Sequence, residues 1–246
     1  MPLQATDALD VADVLAQARR ATRVAQWQSA KSDLMLEGSA HFEGVDEPYC
    51  LTFSSSGQFV ETLTGRLSQT TGFDSITAWQ TDHSAMPLVL DGQDRAKALL
   101  VAWVLNGRWA TSDCPFVASL LPDQTTNAQA TLALKLPSGI LAAKIVIDRQ
   151  SWLPSSLTYT TQTGLQNWQF MDYRFESGLV LPHLWTHHDN DLMDTFTVRS
   201  VRSLGHTEPR YVPAAIRPND TAWKPSASPQ IVVKRDRVGE ILVHPC

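Results

Sequence analysis

Apolar and polar positions change period several times along this chain, and each change marks an element. Val11, Val14, Leu15, Ala18 and Ala21 recur at helical spacing. Asp7 or Asp10 can cap that run, and Arg19 and Arg20 lie near its C-terminal end, so a helix is expected over Val11–Ala21. After Trp27 the period falls to two. Leu34, Leu36, Gly38, Ala40 and Phe42 alternate with Asp33, Met35, Glu37, Ser39, His41 and Glu43, as in a strand with one face on a core and the other in water. Tyr49, Leu51 and Phe53 repeat the pattern after a polar turn. Phe59–Leu63 and Ile76–Trp79 extend it into an antiparallel meander.

A second helix then interrupts the strands. Ala96, Leu99, Leu100, Trp103 and Val104 form one apolar stripe, and Gly107 is placed to end it in a left-handed conformation. Alternation resumes at Leu132, Leu134 and Leu136, and again at Leu141, Ala143, Ile145 and Ile147, before a polar turn at Asp148–Ser151. Leu157/Tyr159, Trp168/Phe170, Leu179–Trp185 and Phe196/Val198 supply further strands, with a turn at Glu176-Ser177-Gly178. The reading is about ten strands and two helices, mainly β with both helices covering the concave face of one large curved antiparallel sheet.

Past Gly205 the pattern changes character. Pro209, Pro213, Pro218, Pro225 and Pro229 arrive with few periodic apolar positions, which predicts an extended linker over 207–229. Ile231-Val232-Val233-Lys234 and Ile241-Leu242-Val243 then read as strands and as the opening of a further domain. The expected organisation is a curved-sheet domain over 1–206, the linker, and first strands over 230–246.

Composition narrows the function classes. The 246 residues carry 20 basic and 25 acidic side chains, a net charge of −5, which argues against a nucleic-acid partner. The longest apolar run, Ala98–Leu105, falls well short of the ~20 residues of a membrane-spanning helix. The start, with Asp7, Asp10 and Asp13 and no basic residue before Asp13, is unlike a secretory signal. Three cysteines, Cys50, Cys114 and Cys246, are widely spaced and form no zinc or disulfide pattern.

No catalytic or metal-binding set emerges. His183 and His187 lie in a strand pattern, where four residues separate them by ~13 Å, too far for one ion. His187 and His188 point to opposite faces, and Asp189 and Asp191 near His188 fit no motif. The sequence lacks G-x-S-x-G, H-E-x-x-H and P-loop strings. Ser54-Ser55-Ser56 before Gly57 is read as a hairpin turn, and Asp74-Ser75-Ile76 lacks the glycine of an aspartic-protease turn. No cofactor is called for. The tryptophans carry the one candidate site: Trp79, Trp103, Trp168 and Trp185 either fill a core or line a cavity for an apolar ligand.

Gly72-Phe73-Asp74-Ser75-Ile76-Thr77-Ala78-Trp79 resembles the G-x-D-G-x-x-x-W strand of LolA-like domains, with Ser75 in place of the second glycine. More specifically, the chain resembles the N-terminal domain of bacterial retropepsin-like aspartic protease family proteins. The matching pieces are Val14–Arg19 with Trp27, Glu61–Gly65, Ile147-Asp148, Ser151–Pro154, Met171–Arg174 and Leu181-Pro182. In the tail, Ile231–Val233 and Gly239–Val243 match the first strands of the protease domain. The resemblance implies a half-barrel of antiparallel strands wrapped on helices, as in periplasmic lipoprotein carriers, and an exported location. It transfers no catalytic residue, because the D-[ST]-G turn is absent from the sequence. Four readings follow: a non-catalytic accessory module whose partner is a C-terminal protease-like domain or an apolar or peptide ligand; a carrier of lipid or lipoprotein; part of an aspartic endopeptidase whose catalytic domain lies outside this chain; and an enzyme with an unseen site. A solvent-open apolar cavity favours the carrier, and a filled core favours the module.

Overall fold

The computed structural model describes residues 9–82, 84, 86–190, 192–204, 211, 232–235 and 241–244. Helix α1 (Val11–Thr22) buries Val14, Ala18 and Thr22 along one side. Arg23 then takes a left-handed conformation (φ 60°, ψ 19°), and a second helix, α2 (Val24–Ala30), follows. The sequence reading has one helix here. In α2 only Val24 and Trp27 are buried, too few positions to reveal a period. Helix α3 (Gly92–Leu105) starts a turn before its apolar stripe, and Gly107 (φ 75°) opens a 3-10 turn at Arg108–Ala110.

Thirteen strands form one antiparallel sheet that does not close: β1 (Asp33–Phe42), β2 (Val45–Phe53), β3 (Phe59–Leu63), β4 (Gln69–Phe73), β5 (Ala78–Thr81), β6 (Pro87–Leu90), β7 (Val117–Leu120), β8 (Gln129–Lys135), β9 (Ala142–Asp148), β10 (Pro154–Thr161), β11 (Gly164–Glu176), β12 (Leu179–Asp189) and β13 (Leu192–Leu204). The spatial order is β6-β5-β4-β3-β2-β1-β13-β12-β11-β10-β9-β8-β7. Two meanders therefore run outward from the β1–β13 seam, and α3 connects the two edge strands. The count exceeds the expected ten because β4 is built of Thr and Gly, while β6 and β7 are four-residue edges too short to show alternation. The expected strand over Ile76–Trp79 instead begins at Ala78. Asp74 Oδ1 accepts the backbone N–H of Ile76 at 2.8 Å and of Thr77 at 2.6 Å, which keeps Ile76 in the turn and 79% exposed.

The sheet's concave face holds the core. Cross-strand rows Phe53–Phe59–Phe73–Ala78–Leu90 and Phe170–Trp185–Phe196 lie on that face. Helices α1 and α2 pack against β12, and α3 packs against β4 and β5. At the seam β1 carries a bulge between Glu37 and Gly38, where a Cβ on Gly38 would come 1.8 Å from the Thr197 carbonyl oxygen. Glycine is required there by the close approach of the neighbouring backbone.

The chain divides into two units, Met1–Val212 and Pro213–Cys246. In the second, β14 (Val232–Arg235) pairs antiparallel with β15 (Ile241–His244), where two strands were expected. Apart from Tyr211, the linker expected over 207–229 lies outside the described residues, as do Ile231 and residues 236–240. Among the described residues no helix is long and apolar enough to cross a membrane.

Candidate functional site

Same-face rows of a sheet are two residues apart along each strand, and here one such step converts core into cleft. Beside the buried row through Phe59, the next inward row is Leu51–Glu61–Thr71–Gln80–Leu88, running across β2 to β6. On the other wing, Trp168–His187–Asp194 and Tyr159–Gln166–Asp189 run across β10 to β13. Helix α3 turns Asp94, Lys97, Ala98, Val101, Ala102 and Leu105 toward both wings. The cleft they form, open to solvent on one side, has a volume of about 610 Å³ and is further lined by Phe42, Glu43, Phe59, Gln69, Leu90 and Thr163. That volume lies within the roughly 300–1,000 Å³ of small-molecule sites.

The polar groups of the cleft are linked. The Tyr49 hydroxyl donates to Glu61 Oε1 at 2.8 Å. Burial pushes the Glu61 carboxyl above its ordinary pKa, against the pull of the Tyr49 hydrogen bond and of nearby His187. Tyr49 itself is held well above the usual phenol range, by burial first and then by the Glu61 charge, so it stays a donor. His187 stacks on Trp168, with ring centres 4.2 Å apart. Its Nδ1 lies 3.3 Å from Asp194 Oδ2, and its Nε2 lies 2.7 Å from Gln166 Oε1. Asp194, only 6% exposed, also accepts the Glu43 backbone N–H at 2.9 Å. The Trp168 indole donates to the Tyr159 hydroxyl at 3.1 Å. Lys97 pairs with Asp94 at 2.6 Å. The Gln166 Nε2 is buried with no partner among the described residues.

His187 and Asp194 are arranged like the base and orienting acid of a hydrolase, but Nε2 faces an amide oxygen where a nucleophile would stand. Nucleophilic cysteine chemistry meets a similar obstacle: burial pushes the Cys114 thiol up to about 11. His183, 2% exposed, sits on the same face of β12 as His187, with Trp185 between them. Burial lowers its pKa, and Glu176 Oε1 is 3.9 Å away. Among the described residues no group of three or more His, Cys, Asp or Glu side chains is placed to hold one ion.

Of the four tryptophans picked out by sequence, Trp168 lines the cleft. The other three do not. Trp185 is fully buried between Tyr49 and Phe196. Trp103 packs edge-on to Phe73 and Phe116, and its indole donates to the Gly57 carbonyl at 3.1 Å. Trp79 points to the opposite face of β5 from Gln80, lies over Gly72, and donates to the Tyr211 carbonyl at 2.8 Å. A strand reading by residue type did not separate these faces.

Glu61, Gln166 and Asp194 escaped the sequence reading, which weighed His187 only as a metal ligand, yet all four had a signal. Each stands in phase with inward apolar neighbours: Glu61 between Phe59 and Leu63, Gln166 with Trp168 and Phe170, His187 with Trp185, Asp194 with Phe196. A polar side chain at an inward strand position must be paired or must face a cavity.

No family model matches the chain. No curated protein matches it either. Among solved structures it is similar to a LolA superfamily protein from Nitrosomonas europaea, with a TM-score of 0.51 and 13% identity over 79% of this chain and 94% of that one. It is also similar to a DUF1329 family protein from Desulfovibrio piger, with a TM-score of 0.51 and 11% identity over 77% and 92%. The fold is LolA-like: a large open antiparallel sheet with helices. Neither likeness supports the aspartic-protease part of the resemblance drawn from sequence.

Proposed function

We propose that the chain is a non-catalytic binding protein that holds an amphiphilic small molecule in the cleft between α3 and the curved sheet. The carrying observation is the cleft of about 610 Å³ itself, with Leu51, Phe59, Leu88, Leu90, Val101, Leu105 and Trp168 on its walls. A half-barrel built as a filled core would have no such volume, because protein interiors pack to near-crystal density. The LolA-like fold supports the carrier reading, as does the lipoprotein-carrier resemblance read from sequence. The accessory role beside a protease domain loses its main support.

Ala98 lines the cleft from α3 and is only partly buried, so a larger side chain there fills the cleft without overpacking the core. Wild-type protein should bind and brighten an apolar fluorescent probe, and Ala98→Phe should weaken that binding with melting temperature little changed. Equal probe binding by both would place the probe elsewhere and sink the reading.

A further inference from the structure

The walls of the cleft mix apolar and polar side chains, and their charges do not balance. Glu43, Glu61, Asp94 and Asp189 line it, against Lys97 and His187. Lys97 is spent on Asp94, and both ring nitrogens of His187 are occupied by Asp194 and Gln166. Glu61 is left with no ion-pair partner among the described residues, and its hydrogen-bond donor there is the neutral Tyr49 hydroxyl. An ionised carboxylate has about four lone-pair sites, so one neutral donor leaves most of its lost hydration unreplaced. The wing opposite carries aromatic groups, Trp168 and Tyr159, and Phe59 and Phe42 complete the lining. Aromatic faces attract cations and are indifferent or hostile to anions. A second polar observation lies beside them: Gln166 is 4% exposed, lines the same cleft, and its Nε2 has no partner.

Resting on the binding reading above, we infer that the cleft selects an amphiphile whose apolar chain is headed by a cationic nitrogen, with Glu61 as its counter-charge. The chain lies along Leu51, Leu88, Leu90 and Leu105. An ammonium head placed at Glu61 supplies the donors that the carboxylate lacks, and the rings around it add a cation–π attraction. A carboxylate or phosphate head would meet Glu61, Glu43 and Asp189 as like charges.

Calorimetric titration of the full chain with octylamine, octyltrimethylammonium, octanol and octanoate tests this at constant chain length. Octylamine, bound as its ammonium, should bind at least about tenfold more tightly than octanol, the scale of one charge-assisted hydrogen bond; octyltrimethylammonium, which has no N–H and acts through charge and cation–π attraction alone, should fall between the two, and octanoate should bind most weakly. Glu61→Gln should abolish the preference of the cations over octanol. Glu61→Asp should keep the preference. Octanol or octanoate binding as tightly as the cations would overturn the charge selection and leave the apolar cleft standing. Failure of every chain to bind would overturn the binding reading as well. The head-group comparison on the unaltered protein reads out even where Glu61→Gln does not fold.

Discussion

Trp79 donates its indole N–H to the Tyr211 carbonyl 2.8 Å away, across 132 residues of sequence. Trp79 is 4% exposed and Tyr211 7% exposed, although both lie outside the main core. Tyr211 is therefore part of the first unit, inside the stretch over 207–229 that the prolines predict as an extended linker.

This changes what truncation should do. A chain ending at Leu204 uncovers Trp79 and loses a buried tyrosine, at a cost of about 2–4 kcal/mol from apolar area plus one hydrogen bond. It should melt well below a chain ending at Val212. Trp79→Phe in the full chain leaves the Tyr211 carbonyl without its donor and should cost about 1–2 kcal/mol. Equal melting temperatures for the two truncations would mean that Tyr211 contributes nothing to the fold.

Ser75 takes φ 91° at the position where LolA-like domains carry glycine. A side chain in that region is strained by about 1–3 kcal/mol, and the substitution by glycine is opposed by its greater freedom in the unfolded chain. Ser75→Gly should therefore stabilise the protein by roughly 1 kcal/mol, measured by urea unfolding. Ser75→Val, with a branched Cβ, should destabilise it. A loss of stability in Ser75→Gly would contradict the strain.

The half-barrel was legible because its long strands alternate cleanly, as in β1, β8 and β9, where inward apolar residues recur at every second position. Period carries no such information in four-residue edges such as β6 and β7, or in α2 with two buried positions, so these were lost. The site was harder to read. Which face Trp79 takes was not legible because Ile76, Ala78 and Trp79 are all apolar, so alternation does not choose between the two faces, and a one-residue slip reverses every side chain. The row through Glu61 exists only once β2 to β6 are in register, a non-local fact that no single segment contains.

Trp103 and Trp168 should separate stability from binding. Trp103 sits against Phe73 and Phe116 in the core, and Trp103→Ala should cost about 3–5 kcal/mol. Trp168 faces the cleft on one side, so Trp168→Ala should cost less than Trp103→Ala while reducing ligand binding more. Parallel melting and probe-binding curves on both variants check this. A stability loss at Trp168 as large as at Trp103 would place it in the core.

Glu61 also sets a pH dependence. Its folded pKa is raised by burial, so the unfolded chain gives up this proton more readily than the native one. The contribution is fully present below the ordinary carboxyl value of about 4.3 and is lost as pH rises through the raised native value. The groups facing it are Tyr49 on β2, His187 on β12, Glu43 at the end of β1, Asp189 on β12, and Asp94 with Lys97 on α3. Glu61→Gln removes one titrating carboxyl and keeps a side chain that can accept from Tyr49. The stability difference, wild type minus Glu61→Gln, should therefore fall as pH is raised from about 4 toward neutrality. Chemical unfolding of both proteins across that range measures it. A difference that stays constant would mean that Glu61 ionises as freely in the native cleft as in the unfolded chain, and a difference that grows with pH would mean that a cation already compensates it there.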